Sequence, residues 1–294
     1  MSYTLAINSS NVVGSNNNTY QFNFITGSFH AKNMEIAVGS LTMPYAWFNV
    51  SSAYINNKIT INVPYLATTK TLDIVLPDGF YQISDINNYI QLQMIANGLY
   101  LVSSTGSNVY FFQMNVNLNY YNIQVLMSAV PTTVASGAYS GYTLPATGYW
   151  STVSGNGLPT VSSTPAMTLA STGSIAVMIG FNTGTYASLS SSQSISGTLT
   201  PIGSTVNALL MRCNLINNSL AMPSDILDLI PINTSFGNNL TYNPSFEKFV
   251  DIRDGTYNSM TITFSDQNLN TLYSRDPNIG LSLLIRKKTL LKPI

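Results

Sequence analysis

The sequence predicts an all-β protein, a single jelly roll of two antiparallel sheets with one short helix and a loop-rich insertion. Apolar and polar residues alternate with a period of two in many short stretches, which is the pattern of strands that bury one face. Turn-forming residues separate these stretches, as in PDG at 77–79, DG at 254–255 and DPN at 276–278. A single stretch has helical periodicity, and an apolar strand returns at the C-terminal end, an arrangement that suits a jelly roll.

The predicted strands run from near the N-terminus to the end of the chain. In the stretch 110–118, for example, every second residue is apolar and Gln113, Asn115 and Asn117 lie between them. Such a strand buries its apolar face and exposes its polar face. The predicted strands have the following apolar positions: Tyr20, Phe22 and Phe24; Ile59, Ile61 and Val63; Leu72, Ile74 and Leu76; Tyr110, Phe112, Met114, Val116 and Leu118; Met260, Ile262 and Phe264; Ile279, Leu281, Leu283 and Ile285.

One helix is predicted over 84–97. Ser84 can cap its first turn, Asp85 lies where the helix dipole favours a negative charge, and Gly98 can end it. The opposite face carries Asn and Gln without Lys or Arg, so we expect the helix to pack against a sheet rather than on a membrane. The apolar residues that share its other face are Ile86, Tyr89, Ile90 and Met94.

The composition changes between 131 and 203, where Gly, Ser, Thr and Ala dominate. This composition predicts long loops with short strands. The predicted domains are therefore a jelly roll formed by 1–130 and 204–294, and a loop-rich β insertion at 131–203 that faces outward. Within the insertion, the apolar run SIAVMIGF at 174–181 predicts a buried strand that returns to the core.

The chain of 294 residues carries very few charges. Charged residues make up 7%, against about a quarter in ordinary domains, and 11 Lys and Arg balance 11 Asp and Glu. No Asp, Glu, Lys, Arg or His occurs in 86–211. A surface with few charges and no net charge resists self-association poorly, so we expect the protein to assemble with its own copies. A neighbouring subunit can cover Ser, Thr and Asn side chains without leaving an unpaired buried charge.

The charges that are present are concentrated near the C-terminus, where 12 of the 22 lie in 247–292. Charges of both signs in this region either form intersubunit ion pairs, which set register more than affinity, or are ordinary surface charges. The candidates for intersubunit pairs are Arg253, Asp254, Arg275 and Asp276. The one basic cluster consists of Arg286, Lys287, Lys288 and Lys292. Since nucleic-acid binding needs clustered cations, we expect such contact at most through this C-terminal tail.

Four aromatic residues stand out in the otherwise small and polar stretch 131–170. They are Tyr139, Tyr142, Tyr149 and Trp150. Such rings can stack on sugars, and they can equally pack a long loop against its domain. They are the candidates for contact with a host glycan or receptor.

Residues for nucleophilic or metal chemistry are scarce. His30 is the only histidine and lies in a predicted turn, and Cys213, the only cysteine, lies in an apolar strand. Two such residues cannot supply a zinc site. The sequence DQNLNT at 266–271 begins like a calcium-binding loop, but Thr271 and Pro277 occupy the positions of its glycine and its closing glutamate. We therefore expect no metal, no cofactor and no enzymatic activity.

Paired carboxylates leave a glycosidase as a third class of function. The candidate pairs are Asp225 with Asp228 and Asp251 with Asp254, all beside turn-forming residues. The sequence has no signal peptide and no apolar run long enough to cross a bilayer, so we expect synthesis in the cytoplasm.

Five segments, in order along the chain, carry a resemblance to a known family. They are GSFHAKNMEIAVGSLTMPYAWFNVS, VLPDGFYQISDINNYIQ, SIAVMIGF, MPSDILDLIPINTSFGNNLTYNP and TYNSMTITFSDQNLNTLYSRDPNIGLSLLI. The series resembles the penton (minor capsid) proteins of virophages and polinton-like viruses, although it does not extend over 131–170. The resemblance implies a single jelly roll whose homopentamers occupy the fivefold vertices of an icosahedral virion, beside the major capsid protein. A carbohydrate-binding or receptor-binding β-sandwich, such as a fibre head or a lectin-like module, is the alternative.

Overall fold

The computed structural model describes residues 2–25, 27–151, 156–204 and 206–288. Within these ranges it contains 22 strands and two α-helices, so the predicted all-β class is confirmed. The strands and helices are β1 (Ser2–Asn8), β2 (Val12–Val13), β3 (Thr19–Asn23), β4 (Phe29–Ala31), β5 (Met34–Pro44), β6 (Asn56–Tyr65), β7 (Thr68–Val75), α1 (Ile83–Ala96), β8 (Leu101–Val102), β9 (Asn108–Val109), β10 (Phe112–Asn117), β11 (Asn122–Met127), β12 (Ala166–Leu169), β13 (Gly173–Ser174), α2 (Ala176–Ile179), β14 (Gly184–Tyr186), β15 (Gln193–Ser196), β16 (Ala208–Cys213), β17 (Ile226–Pro231), β18 (Asn239–Tyr242), β19 (Val250–Asp251), β20 (Gly255–Tyr257), β21 (Ser259–Asp266) and β22 (Gly280–Lys287).

The chain divides into two compact units. The jelly-roll unit comprises Met1–Phe48 and Thr205–Ile294, and the central unit comprises Asn49–Ser204. β1–β5 and β16–β22 belong to the jelly-roll unit, and β6–β15 with both helices belong to the central unit. Each unit has its own sheets and its own buried apolar residues.

The strand order of the jelly-roll unit identifies its fold. One sheet has the order β1–β22–β5–β18, with β19 also paired to β5, and the other has the order β17–β16–β21–β3–β2. Leaving out the short strands β2, β4, β19 and β20, eight strands remain. Counted along the chain, they follow the orders 1-8-3-6 and 5-4-7-2, with every neighbour antiparallel. This is the eight-stranded jelly roll with two Greek keys, so the predicted single jelly roll is confirmed.

Alternation along the strands places one side chain in two inside the jelly roll. On β21 the apolar residues Met260, Ile262 and Phe264 are fully buried, and the threonines between them are not. On β22, Leu281 and Leu283 are likewise buried. Each large apolar side chain that is fully buried contributes roughly 1.5–3 kcal/mol relative to its exposed state, so these stripes drive the packing of the two sheets.

The described residues of the central unit form one five-stranded sheet, one three-stranded sheet and the short two-stranded sheet β8–β9. In the first, β6 pairs with β7 on one side and with β12 and β13 on the other, and β14 pairs with β12. The three-stranded sheet has the order β10–β11–β15. Helix α1 packs against β10 and β7 through its buried residues Ile86, Ile90 and Met94. The predicted packing of the helix against a sheet is therefore confirmed.

The ends of α1 differ slightly from the prediction. The residue before the helix is Gln82, and Ser84 lies inside the first turn, so the prediction of Ser84 as the cap was wrong. The backbone N–H of Gln82 donates to the Asp85 carboxylate at 2.8 Å, so Asp85 forms the half of a capping box that binds the N–H of the cap residue. Gly98, at φ +61°, follows the last turn as predicted, in a left-handed conformation that suits glycine.

The prediction of a buried strand at 174–181 was wrong, because the middle of this run is helical. This run forms the end of β13 and then α2, a four-residue helical turn that ends at Gly180 with φ +70°. Ile175, Met178 and Phe181 are buried as predicted. A short run that is apolar on all sides has no periodicity to separate a strand from a helical turn, and this ambiguity explains the error. The structure thus contains a second short helix beyond the one predicted.

The segment 131–203 is rich in loops and has no strand longer than four residues among its described residues. Its strand β12 pairs with β6, and its strand β15 pairs with β11. The chain leaves the main strands of the jelly roll at the end of β5 and returns to them at β16. The predicted division into a jelly roll of 1–130 with 204–294 and an outward-facing insertion of 131–203 stays a prediction.

Glycine is required where backbones approach closely in the central unit. A Cβ at Gly157 would lie 1.9 Å from the carbonyl oxygen of Tyr149 and 2.6 Å from the ring of Tyr65. A Cβ at Gly98 would lie 2.2 Å from the carbonyl oxygen of Thr147. No side chain fits at either position without movement of the backbone.

Candidate interaction surfaces

The structure buries one of the four aromatic residues predicted to contact a receptor. Trp150 is 0% exposed, its Nε1 donates to the carbonyl oxygen of Pro64 at 3.1 Å, and its ring packs edge-on against Phe111 at 5.5 Å. A ring without an exposed face has no surface on which a sugar could stack. Trp150 therefore serves the core of the central unit in this structure.

The three tyrosines of this group are partly exposed. Tyr139 packs against Phe111 at 5.5 Å and edge-on against Tyr142 at 5.3 Å, and burial raises the pKa of Tyr139. Tyr149 lies under the Lys70 ammonium, 4.4 Å from the ring centroid, in a cation–π contact. The rings thus pack the loop against its unit and keep some exposed area. Their role as receptor contacts stays a prediction.

The four charges predicted to form intersubunit pairs lie on the jelly-roll unit. Arg253, Asp254 and Arg275 are exposed and Asp276 is half-buried. The Asp254 carboxylate accepts the backbone N–H of Asn33 at 2.8 Å. Among the described residues none of the four belongs to an intramolecular ion pair. Their intersubunit role stays a prediction.

Arg275 has one further contact, since its guanidinium lies over the ring of Phe48 at 5.5 Å. Phe48 packs at 6.3 Å against Phe236, which in turn lies edge-on to Tyr45. The exposed guanidinium therefore packs on an aromatic cluster. A seated side chain loses less entropy when it pairs with a partner.

The basic tail is partly neutralised within the chain. The Nε of Arg286 donates to the Glu35 carboxylate at 2.6 Å, and the guanidinium also lies over the ring of Phe249. Lys288 pairs with Asp251 at 2.6 Å. Lys292 lies outside the described residues. Two of the four basic residues are thus committed to intramolecular partners, which weakens the tail as a phosphate-binding element.

The carboxylates considered for a glycosidase each serve a local contact. Asp225 binds Arg212 through three N–H···O bonds of 2.8–3.1 Å. Asp228, with a side chain only 7% exposed, accepts the hydroxyl of Tyr242 at 2.7 Å and the ammonium of Lys248 at 3.0 Å. A general acid needs a carboxyl whose proton is free to reach a substrate, and Asp225 and Asp228 are both paired with cations.

The Asp228 cluster joins the two sheets of the jelly roll. Asp228 lies on β17, at the edge of one sheet, and Tyr242 lies on β18, at the edge of the other. Burial, and then the hydrogen bond to Asp228, raises the pKa of Tyr242, which keeps its hydroxyl a donor. The same carboxylate raises the pKa of Lys248 through a hydrogen bond. We assign this cluster a structural role.

The remaining chemical candidates also have structural partners. His30 is exposed on β4, and its Nδ1 lies 2.8 Å from the hydroxyl of Thr256. Burial raises the pKa of the Cys213 thiol to about 12, so the thiol is not a nucleophile at neutral pH. In the stretch that begins like a calcium loop, the Asp266 carboxylate accepts the backbone N–H groups of Asn268 and Asn270, both at 2.8 Å. Within the described ranges, no group of three or more metal-ligating residues comes together.

The structure reveals exposed apolar residues that the sequence analysis did not single out as a site. In the jelly-roll unit, Leu220 and Met222 are almost fully exposed, and Phe246 is largely exposed. In the central unit, Leu118, Tyr120 and Tyr121 occupy the turn between β10 and β11 and are also exposed. The available signal was apolar residues where turns normally carry polar ones. Among the described helices, none is long and apolar enough to cross a membrane.

No family model matches the chain, and no curated protein matches it. Among solved structures, the chain is similar to a selenomethionine-labelled penton protein of mavirus, at 9% sequence identity and a TM-score of 0.45, over 98% of this chain and 100% of that one. Similarity at this level does not assign an activity or a partner to this chain. The chain itself has an eight-stranded jelly roll, a charge-poor central unit and exposed apolar turns.

Proposed function

We propose that this chain is a structural capsid protein whose homopentamers occupy the fivefold vertices of an icosahedral virion. The single observation that carries the proposal is the strand order of the jelly-roll unit, 1-8-3-6 facing 5-4-7-2. Viral capsid proteins are among the main users of this architecture, together with lectins and cupins. Since a fold alone does not decide function, the surface has to separate these classes.

The surface favours assembly over ligand binding. Cupins hold a metal in the roll, and the described residues contain no metal-ligating group of the required size. Lectins present exposed rings, and the most promising ring, that of Trp150, is buried. A charge content of 7% and almost fully exposed side chains such as Leu220 and Met222 suit a surface that neighbouring subunits cover.

The proposed partners follow from closure of a ring. Five copies around an axis need a heterologous contact whose rotation closes, and each stable contact buries about 1,200 Å² or more. The other neighbour is the major capsid protein of the same virion, and synthesis takes place in the host cytoplasm before assembly. The order of the five segments that resemble penton proteins supports the same assignment. Contact of the segment 131–203 with a host glycan or receptor is a separate and additional proposal.

Sedimentation velocity and negative-stain electron microscopy of the purified protein test this proposal. We expect a concentration-dependent species of five chains and images with fivefold symmetry. The same measurement is made after mixing with the major capsid protein, because some ring contacts form only beside that neighbour. A protein that stays monomeric at high concentration, both alone and with the major capsid protein, would refute the proposal.

A further inference from the structure

We propose that the turn between β10 and β11 is a docking element that inserts into the uncharged surface of a second copy of this chain. We call the turn together with the end of β10 the β10–β11 tip. It consists of Val116 on β10 and of Leu118, Tyr120 and Tyr121 in the turn. The inference rests on the proposed function, because it names the element of the central unit through which copies meet.

The apolar face of β10 extends beyond the part that the core of the central unit covers. Phe112 and Met114 are 0% and 2% exposed, whereas Val116 and Leu118, the next residues of the same alternation, are 53% and 84% exposed. Val116 pairs across the hairpin with buried Ile123, so it lies on the core side of the sheet. A period-two apolar pattern specifies a covered face, and this chain covers only half of it. The remainder is a surface that another molecule can cover.

The turn itself is built unfavourably for a solvent-exposed loop. Tyr120 and Tyr121 are 77% and 71% exposed, and Tyr121 has φ +49°, in the left-handed region. Folding alone favours Asn or Gly at such a position, because a bulky side chain there is strained. Aromatic rings with few rotatable bonds are the side chains that contribute most to protein interfaces. The choice of residues thus fits binding and does not fit isolated folding.

The chemistry of the tip points to a second copy as the partner. The tip lies within 86–211, which contains no Asp, Glu, Lys, Arg or His, so it offers no charge at neutral pH for an ion pair. It therefore fits a surface without charges, and the exposed residues of 86–151 and 156–204 in another copy supply one. The four side chains expose on the order of 500 Å², a large part of the roughly 800 Å² that each partner contributes to a standard interface. Since 86–211 contains no Lys or Arg, the tip itself carries no cation that would attract anionic lipid headgroups.

A double variant with Leu118→Asn and Tyr120→Asn tests the inference in the full-length protein. Val75→Asn is the matched control, because Val75 is an apolar residue of the same unit, is 51% exposed and lies outside 86–211. Thermal unfolding checks that both variants fold. Sedimentation velocity should then show self-association at least tenfold weaker in the double variant and unchanged in the control. Equal association of wild type, double variant and control would overturn the inference and leave the proposed function standing.

A fluorescent label reports the contact directly. Asn119 is exposed at the centre of the turn, and Asn119→Cys can be labelled with a polarity-sensitive maleimide. The native Cys213 is buried and its pKa is raised to about 12, so it does not compete for the reagent. We expect a blue shift of emission as the protein concentration rises through the association range. Association without any shift would place the contact elsewhere and overturn the inference.

The competing occupant is a lipid surface, and neutral phosphatidylcholine vesicles distinguish it from a second copy. A blue shift that requires vesicles and is absent in concentrated protein alone would overturn the inference and assign the tip to membranes. Failure of wild type to associate at all, alone or with the major capsid protein, would refute the proposed function as well. The two failures are therefore distinguishable by whether wild type associates.

Discussion

Removal of the Asp228 carboxylate should destabilise the jelly roll by separating the edges of its two sheets. In Asp228→Ala, the hydroxyl of Tyr242 loses a charge-assisted hydrogen bond of 2.7 Å, which corresponds to about 1.5–3 kcal/mol. The ion pair with Lys248 adds well under about 1 kcal/mol, because the lysine side chain is half exposed and its charge is screened by solvent. The expected loss is about 2–3 kcal/mol, or roughly 6–9 °C in Tm for a unit of this size.

Differential scanning calorimetry measures this loss, and hydrogen exchange of the β17 and β18 amides locates it. The matched control is Asp251→Ala in the same unit, where an exposed carboxylate pairs with Lys288 and should contribute less than about 0.5 kcal/mol. Lys248→Met should cost less than about 1 kcal/mol. The reasoning would be refuted if Asp228→Ala cost no more than Asp251→Ala, or if Lys248→Met cost as much as Asp228→Ala.

Three further predictions test packing, pH dependence and assembly. Gly157→Ala should destabilise the central unit by more than about 2 kcal/mol, because the added methyl group meets a backbone oxygen. Gly203→Ala, where the added methyl group enters open space, should change stability by less than about 0.5 kcal/mol. Urea unfolding of both variants measures these changes. Burial raises the pKa of Tyr20 to about 12, so the stability that its neutral hydroxyl contributes is complete below pH 10 and is lost as the pH rises towards 12. Urea unfolding from pH 7 to 11.5 should therefore show a smaller loss of stability at alkaline pH in Tyr20→Phe than in wild type. An equal loss in both proteins would contradict the assignment of this loss to Tyr20. Arg275→Glu should weaken self-association several-fold in sedimentation velocity and cost at most about 1 kcal/mol of stability through the lost contact with Phe48. Lys32→Glu, also exposed on the jelly-roll unit, should leave association unchanged, and equal effects of the two variants on association would remove the intersubunit role.

The spacing of apolar residues along short stretches was sufficient to predict the positions of strands and of a helix in the two units. Alternation predicted a last strand with apolar positions from Ile279 to Ile285, and the structure has β22 at Gly280–Lys287. Helical spacing predicted 84–97, and α1 spans Ile83–Ala96. These predictions succeed because a period of two or of 3.6 is a property of neighbouring residues and is visible within a dozen positions.

The spacing of apolar residues did not predict the backbone conformation where that spacing has no period. The run at 174–181 is apolar throughout, so its fold into α2 was decided by the groups packed around it. At the end of that turn, a Cβ on Gly180 would lie 2.4 Å from the carbonyl oxygen of Leu199, a residue about twenty positions away along the chain. The sequence identified this run as buried and could not identify its conformation.

The candidate sites show the same limit. Aromatic residues in a polar stretch drew attention to Trp150, and the tertiary contact with Phe111 and the hydrogen bond to Pro64 made it a core residue. Alternation over 110–118 predicted a buried face that includes Leu118, and the structure leaves this residue exposed. A pattern states which face is apolar, and the position of distant strands decides how far that face is covered.

From the sequence alone came the all-β class, most strand and helix positions, and the scarcity of charge that favours assembly. The order of strands came from the tertiary structure, as in the pairing of Ser2 with Arg286 at opposite ends of the chain. So did the link between sheets at Asp228 and the exposure of the β10–β11 tip. The physical reason is that side-chain periodicity is a local property, whereas register, sheet order and exposure depend on contacts between residues far apart in the chain.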